Sequence, residues 1–379
     1  KNSASGEKNT VSAPIEEVPR LLDRDSLLRN GTEWDQVQNF YGTQCAALRQ
    51  NPQDDEAKLK LAECFIREAR VTGEHPHYYP AALKMTESVI QSVENLSNKT
   101  PRDYDRLFRA LSHRASVQMS LHRFAEAKAT AAQAIALNPH NAYIYGCLTD
   151  ALVELGQYDK AVEVCDKMVS IRPDLRSYAR VSYLREIFKD YKGAIEAMEM
   201  AVQAGFPGLE ETEWARLQLG QLHEKYGSLK DAEIQYRHCL AARENYPFAL
   251  AALAGVEMKQ GKMEDAEVHL KAACDILPEV SFYRDLATLY EKTGRRAAAQ
   301  QLLPEIEKMY AEDMAAGHII HLELANFYLQ QAGNPSKALE HAQQEYAARP
   351  DNKDVNSTLA AIYKVMGDQE KMKFHKNKS

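Results

Sequence analysis

The sequence predicts an all-α fold, a solenoid of stacked helical hairpins rather than a chain wrapped around one core. Two stretches within residues 141–174 carry apolar side chains three or four apart, as one stripe of a helix requires. They are Tyr145, Leu148, Leu152 and Leu155, then Tyr158, Ala161, Val162, Cys165, Met168 and Val169. Gly156 stands between them, where a tight helix-to-helix turn needs a positive φ. Pro173 follows the second stretch, where a missing N–H ends a helix. The same punctuation recurs along the chain. A small residue at the hairpin crossing falls at Ala127, Ala161, Ala194, Ala232, Ala266, Ala299 and Ala338, at intervals of 34, 33, 38, 34, 33 and 39 residues. The turn glycine returns at Gly156, Gly227, Gly261, Gly294, Gly333 and Gly367, and the terminating proline at Pro139, Pro173, Pro207, Pro278 and Pro350.

A hairpin of two short amphipathic helices cannot bury both stripes alone, so it needs neighbours of its own kind. One unit carries Leu219–Gly220, Gly227, Ala232 and Tyr236; the next carries Gly261, Ala266, Leu270, Ala273 and Pro278. This pattern resembles the tetratricopeptide-repeat family, whose period is about 34 residues. The resemblance implies a right-handed α-α superhelix of about eight to nine hairpins, with first helices on the concave wall and second helices on the convex one. In such a solenoid each repeat leans only on its neighbours, so a length of 379 residues does not argue for separate globular domains.

Taken in order, residues 1–30 combine a polar tether (1–12) with a short helix over 14–30, in which Ile15, Val18, Leu21, Leu22, Leu27 and Leu28 face the first repeat. The tether is similar in composition to the segment that follows the lipid-modified cysteine of bacterial envelope lipoproteins. That likeness implies a lipid anchor N-terminal to Lys1 and a periplasmic or cell-envelope location. A trimmed cytoplasmic protein is the alternative, and the expectation leans to the envelope. Residues 31–103 read as degenerate repeats with long loops. Thr32 caps a helix over 34–50, with Asp35 near the capping-box position. A first helix over 55–68 turns Leu59, Leu61, Ala62 and Phe65 inward, residues 71–80 form a long loop, and a helix over 81–96 leads to an irregular connection at 97–103. Residues 104–278 are the regular array, in which an insertion at 204–212 bends the stack. Residues 279–379 are irregular again. Pro304 kinks or breaks a second helix, residues 314–317 lengthen the next connection, and residues 355–374 close the stack with a polar end carrying Lys371, Lys373, Lys376 and Lys378.

Composition and motifs exclude more chemistry than they suggest. A net charge of −7 argues against a nucleic-acid partner, and no apolar run is long enough to span a membrane. The six cysteines show no metal-ligand spacing and read as small buried hydrophobes, with a Cys147–Cys165 disulfide across one hairpin as the alternative. His75 and His77, and His318 and His321, are close pairs without the third and fourth ligands a metal needs. No nucleophile elbow, phosphate loop or catalytic constellation is present, so neither a cofactor nor an enzyme is expected. Four Asn-x-Ser/Thr matches, at Asn30, Asn95, Asn98 and Asn356, carry meaning only in a secretory eukaryotic setting.

The family resemblance turns attention to first-helix residues that point away from the packing stripe. By repeat position these are Arg109, Met119, Tyr143, Arg176, Tyr183, Trp214, Phe248 and Met258, of the types that carry binding energy at interfaces. The positions at which one subgroup of the family clamps a C-terminal carboxylate hold Ser112, Ser116, Gly146 and Asp150 here, so that clamp is absent. The expected function is a non-enzymatic scaffold whose concave groove, over residues 104–278, binds a peptide or protein segment with apolar anchors and some acidic character. Two alternatives remain: a structural subunit of an envelope assembly, and a carbohydrate-binding accessory in which Tyr143, Tyr183 and Trp214 stack on sugar rings.

Overall fold

The computed structural model describes residues 18–379, and those residues contain helices and their connections only. The tether expected at 1–12 and Ile15 lie outside the described residues. After a leading helix α1 (Glu33–Gln50), eighteen helices pair as nine antiparallel hairpins. The first four hairpins are α2 (Asp55–Thr72) with α3 (His75–Glu94), α4 (Pro101–Ser120) with α5 (Phe124–Leu137), α6 (Ala142–Glu154) with α7 (Tyr158–Ile171), and α8 (Leu175–Ile187) with α9 (Tyr191–Ala204). The middle three are α10 (Glu210–Tyr226) with α11 (Leu229–Ala242), α12 (Pro247–Lys259) with α13 (Met263–Ile276), and α14 (Val280–Lys292) with α15 (Arg296–Ala315). The last two are α16 (His321–Gln330) with α17 (Pro335–Ala348), and α18 (Lys353–Met366) with α19 (Gln369–Lys376).

The local chemistry follows the sequence closely. All seven crossing alanines are buried, so two helix backbones approach where a larger side chain would hold them apart. Each terminating proline lies one to three residues past a helix end. Gly156 takes φ +74 as the turn requires, whereas Gly227 turns with φ −114. Two hairpins that lack the glycine place His122 (φ 58) and Lys189 (φ 67) in the same left-handed region, at a cost of about 1 kcal/mol each. Helix starts are capped by acids and amides. Asp54 accepts from the Ala57 amide, Asn352 accepts from the amides of Asp354 and Val355, and Thr100 with Asp103 forms a reciprocal capping box.

Several expectations need correction. Residues 71–80 are not a long loop. The turn is Gly73-Glu74, and α3 begins at His75 with Pro76 in its first turn and Pro80 one turn later. The amide that Pro80 lacks would have served the carbonyl of Pro76 at the helix start, so the loss is slight. Helix α15 likewise runs unbroken through Pro304. Thr32 makes no side-chain cap and instead accepts from the Gln36 amide side chain. Over residues 18–30 only Ser26–Leu28 is helical, as a single 3₁₀ turn, yet Val18, Leu21 and Leu22 do pack on the core formed by Phe65, Tyr78 and Leu61. The six cysteines are all buried and all free, so no Cys147–Cys165 disulfide exists. Asn356 is fully buried, its amide donating to the carbonyls of Pro350 and Asn352, and no sugar can reach it.

First helices of successive hairpins also pack on one another, α2 on α4, α4 on α6, and so on to α14, which puts them on the inside of the curl. The curl is tight enough that the chain meets itself after about one superhelical turn. The α4–α5 turn receives the α15–α16 connection: the Ile319 amide donates to the Leu121 carbonyl at 3.0 Å, and Arg123 donates to the Gly317 carbonyl at 3.2 Å. The α6–α7 turn receives the α17–α18 connection: Asn352 Nδ2 donates to the Glu154 carbonyl at 2.9 Å, the Lys353 amide donates to the Tyr158 hydroxyl at 2.8 Å, and Arg349 pairs with Glu154. At the other end, Glu33 bridges Arg24 (2.8 Å) and Arg243 (3.1 Å), while Arg24 also holds the buried Glu68 at 2.7 Å. The cross-coil contacts among these, from Arg123–Gly317 to Glu33–Arg243, join residues 194 to 210 positions apart and convert an open solenoid into a closed coil.

Candidate functional site: the inner wall

The inner wall is a ladder of charged pairs between successive first helices. Arg109 on α4 makes a two-pronged contact with Glu56 on α2, at 2.7 and 3.0 Å. Arg180 on α8 donates to both oxygens of Asp150 on α6, at 2.9 and 2.5 Å, and to the Gly146 carbonyl at 3.2 Å. Arg176 pairs with Glu211 on α10 (2.8 Å), Lys225 with Glu186 (3.0 Å), and Lys259 with Glu224 (2.6 Å). Between α14 and α16 the rung changes character. Arg284 reaches across to Gln331 and Gln330, and a cavity of about 400 Å³ opens beside Asp285 and Thr288.

The sequence-predicted residues fall on this wall in two groups. In the first, charge is already satisfied: Arg109 by Glu56, and Arg176 by Glu211 with its guanidinium 5.3 Å over the ring of Tyr143. Tyr143 is half-buried against the core around Phe108 and Tyr145, and desolvation pushes its phenol upward. Met119 is half-buried near the end of α4. The second group is aromatic and runs across α10, α12 and α14. Trp214 meets Phe248 edge-on at 5.6 Å, and Phe248 in turn meets Phe282 at 5.4 Å and Tyr246 at 5.6 Å. Met258 is partly buried against the core cluster that includes Phe282, Leu286 and Leu289. Glu213, Leu217 and Gly220 of α10 face α11, so Trp214, on the stripe of Glu211, looks away from it and stays 43% exposed. Tyr183 is exposed as well, its phenol pushed up by desolvation and then by Glu154 and Asp354.

Sequence reasoning missed the acids. Desolvation pushes the Asp285 carboxyl up to about 6 although the side chain is open to solvent, and Glu224 adds to the shift while Arg284 opposes it. Glu279 is raised by desolvation and by Asp313, and Glu210 by desolvation against the pull of Arg70 and Arg243. Each shift comes first from burial, which disfavours the charged carboxylate, and a cation brought beside Asp285 would oppose it. A signal was available: the ladder partners lie 30 to 39 residues apart for four of the rungs, one repeat period. Gly146 and Asp150, noted in the sequence only as a missing clamp, hold Arg180, and a Cβ on Gly146 would stand 2.8 Å from that guanidinium.

Among the described residues, no group of three or more His, Cys, Asp or Glu is placed to hold a metal, and no helix is long and apolar enough to cross a membrane. His321 lies against His341 (3.1 Å between Nδ1 atoms), and His318 lies tilted against His75 across the coil, ring centres 5.4 Å apart.

Residues 118–185 match a family model described as tetratricopeptide repeat. A search of curated protein sequences gave no match. Among solved structures, the APC/C hetero-tetramer Cut9–Hcn1 aligns over 89% of this chain at 16% identity and a TM-score of 0.51, and this chain spans 61% of the length of that one. A human IFIT1 dimer with PPP-AAAA aligns over 92% of this chain and 95% of its own, at 12% identity and a TM-score of 0.49. Pseudomonas aeruginosa pilF aligns over 56% of this chain and 97% of its own, at 15% identity and a TM-score of 0.44. The fold is that of a tetratricopeptide-repeat solenoid.

Proposed function

We propose that this tetratricopeptide-repeat chain is a non-enzymatic scaffold that holds a protein segment against the inner wall formed by α8, α10, α12 and α14. The observation that carries the reading is Trp214. A tryptophan left 43% exposed on a concave face, propped from behind by Phe248, is an anchor without an occupant. Tyr183 offers a second exposed aromatic one hairpin earlier. Phe248 and Met258 support this surface, while Tyr143, Arg109 and Arg176 belong to the neighbouring ladder, and Met119 lies near the end of α4, outside the four helices of the proposed site.

The charge on the wall favours a different partner from the acidic one that its arginines suggest in the sequence. Arg109, Arg176 and Arg180 are already matched, whereas the Asp285 carboxyl beside the α14–α16 cavity is pushed up to about 6 and would gain from a cation. The segment best suited therefore carries apolar or aromatic anchors flanked by Lys or Arg. Selection from a displayed random-peptide library on the intact chain tests this. Enrichment of basic-aromatic peptides that bind wild type, and bind Trp214→Ala at least about tenfold more weakly, supports the reading, since one interface anchor is worth about 2 kcal/mol. Peptides that bind Trp214→Ala and wild type alike would overturn it.

A further inference from the structure

The contacts that close the coil follow a rule, and the rule continues beyond one molecule. Each is a hairpin turn meeting the connection that precedes a later hairpin, and each step advances both by one hairpin. The turn before α1 meets the α11–α12 connection, where Leu27, Leu28 and Gly31 line a cavity with Arg243, Tyr246 and Phe248. The α2–α3 turn meets Leu277 of the α13–α14 connection, packed so closely that a Cβ on Gly73 would stand 2.9 Å from it. The α4–α5 turn meets the α15–α16 connection, and the α6–α7 turn meets the α17–α18 connection. Among the described residues only Lys353 reaches the α8–α9 turn, with Nζ on the Ile187 carbonyl at 3.3 Å. From there the described residues leave turns uncovered on one rim and connections uncovered on the opposite rim.

We propose that a second copy of this chain continues the series, stacking head to tail along the superhelix axis. The register is then fixed. The α10–α11 turn of one copy takes the α1–α2 connection of the next, each later turn takes the following connection, and the α18–α19 turn takes the α9–α10 connection. This last pairing brings together exposed apolar groups on the two rims: Val365 (64%) and Met366 (46%) at the end of α18, and Phe206 (76%) and Leu209 (49%) in the α9–α10 connection. The latter connection is also of the type already used within the chain. Phe206-Pro207-Gly208-Leu209, like Arg349-Pro350-Asp351-Asn352 and Leu277-Pro278, is a proline-marked segment between a second helix and the next first helix. Exposed apolar patches of this kind are uncommon on monomers unless something covers them. The two surfaces are different, so the contact is heterologous and propagates to an open filament rather than closing at a dimer.

Sedimentation velocity over a concentration series tests this with wild type, Phe206→Asp and Val365→Asp. Both substituted side chains are exposed, so melting curves should match wild type and confirm folding. Wild type should form species larger than a dimer as concentration rises, and each variant alone should remain monomeric. An equimolar mixture of the two variants should give a dimer and nothing larger, because Val365→Asp supplies an intact connection and Phe206→Asp an intact turn. Wild type that stays monomeric to its solubility limit would leave both patches to some other occupant and overturn the proposal. Oligomers that persist in either variant alone, or a mixture that stays monomeric, would also overturn it.

Discussion

Gly156 is constrained twice, and the two constraints can be separated by experiment. Its φ of +74 disfavours any side chain, as do the φ values of +81 at Gly261 and +76 at Gly294. At Gly261 and Gly294 an added Cβ meets nothing within 4 Å, whereas at Gly156 it would stand 2.4 Å from the carbonyl carbon of Asp351 and 2.8 Å from the Asn352 amide nitrogen. Alanine at all three sites incurs the same left-handed strain of about 1–2 kcal/mol. Only Gly156→Ala must also drive the α17–α18 connection back by about 1 Å to reach an ordinary carbon–carbon contact. That retreat breaks the Asn352–Glu154 hydrogen bond at 2.9 Å and the Lys353–Tyr158 bond at 2.8 Å. At about 1 kcal/mol each, the extra loss is about 2 kcal/mol, and it falls on the contact that closes the coil. Urea denaturation of the three variants, with small-angle scattering in native buffer, measures both effects. Gly156→Ala should show an early transition and a larger radius of gyration, because repeat arrays lose cooperativity when one interface weakens. Equal stability loss and equal radius for Gly156→Ala and Gly261→Ala would refute the closed coil.

Other outcomes follow from the same contacts. Glu154→Gln leaves the Arg349 guanidinium, 4% exposed, with Glu345 as its sole carboxylate partner. The variant should lose about 2 kcal/mol in denaturant titration. Burial, with His318 next to it and His122 nearby, pushes His75 down to about 4 from its ordinary value near 6.5, and His318 is lowered too. The unfolded chain therefore binds more protons than the folded one in that window, and stability falls as pH drops from about 6.5 toward 4. The raised Asp285 acts in the opposite sense below about 6, so the histidine contribution is read as the difference between wild type and His75→Gln, whose melting temperature should vary less with pH. Burial raises the thiols of Cys64, Cys239 and Cys274 to about 12 and those of Cys147 and Cys165 to about 11. The native chain should accordingly resist a thiol reagent that labels all six cysteines in denaturant.

The repeat was legible because its signals are local and redundant. A small residue at the crossing, a glycine at the turn and a proline after the second helix each answer to a steric need within one hairpin. Where a signal was missing, geometry still imposed the conformation, as His122 and Lys189 show by adopting the turn glycine's φ. Proline misled at Pro80 and Pro304, because a missing amide near a helix start, or in a helix held by neighbours on both sides, does not stop the helix. Closure of the coil was not legible. It rests on pairs such as Glu33–Arg243 and Glu154–Arg349, some two hundred residues apart, whose charges look like ordinary solvated surface in a linear reading. The wall residues were chosen by type and repeat position, which separates helix faces but does not say which arginines already have partners. Arg109 and Arg176 turned out to be held within the chain, and the raised carboxyl of Asp285 was not singled out at all.

The proposed occupant of the inner wall around Trp214 and Asp285 is a basic-aromatic protein segment. Titration calorimetry with a library-selected peptide, against wild type, Trp214→Ala and Asp285→Asn, tests it most directly. Both variants should remain folded in a melting curve while binding at least about tenfold more weakly, and wild-type affinity should fall as Asp285 is protonated below about pH 6. Undiminished affinity in both folded variants would contradict the claim.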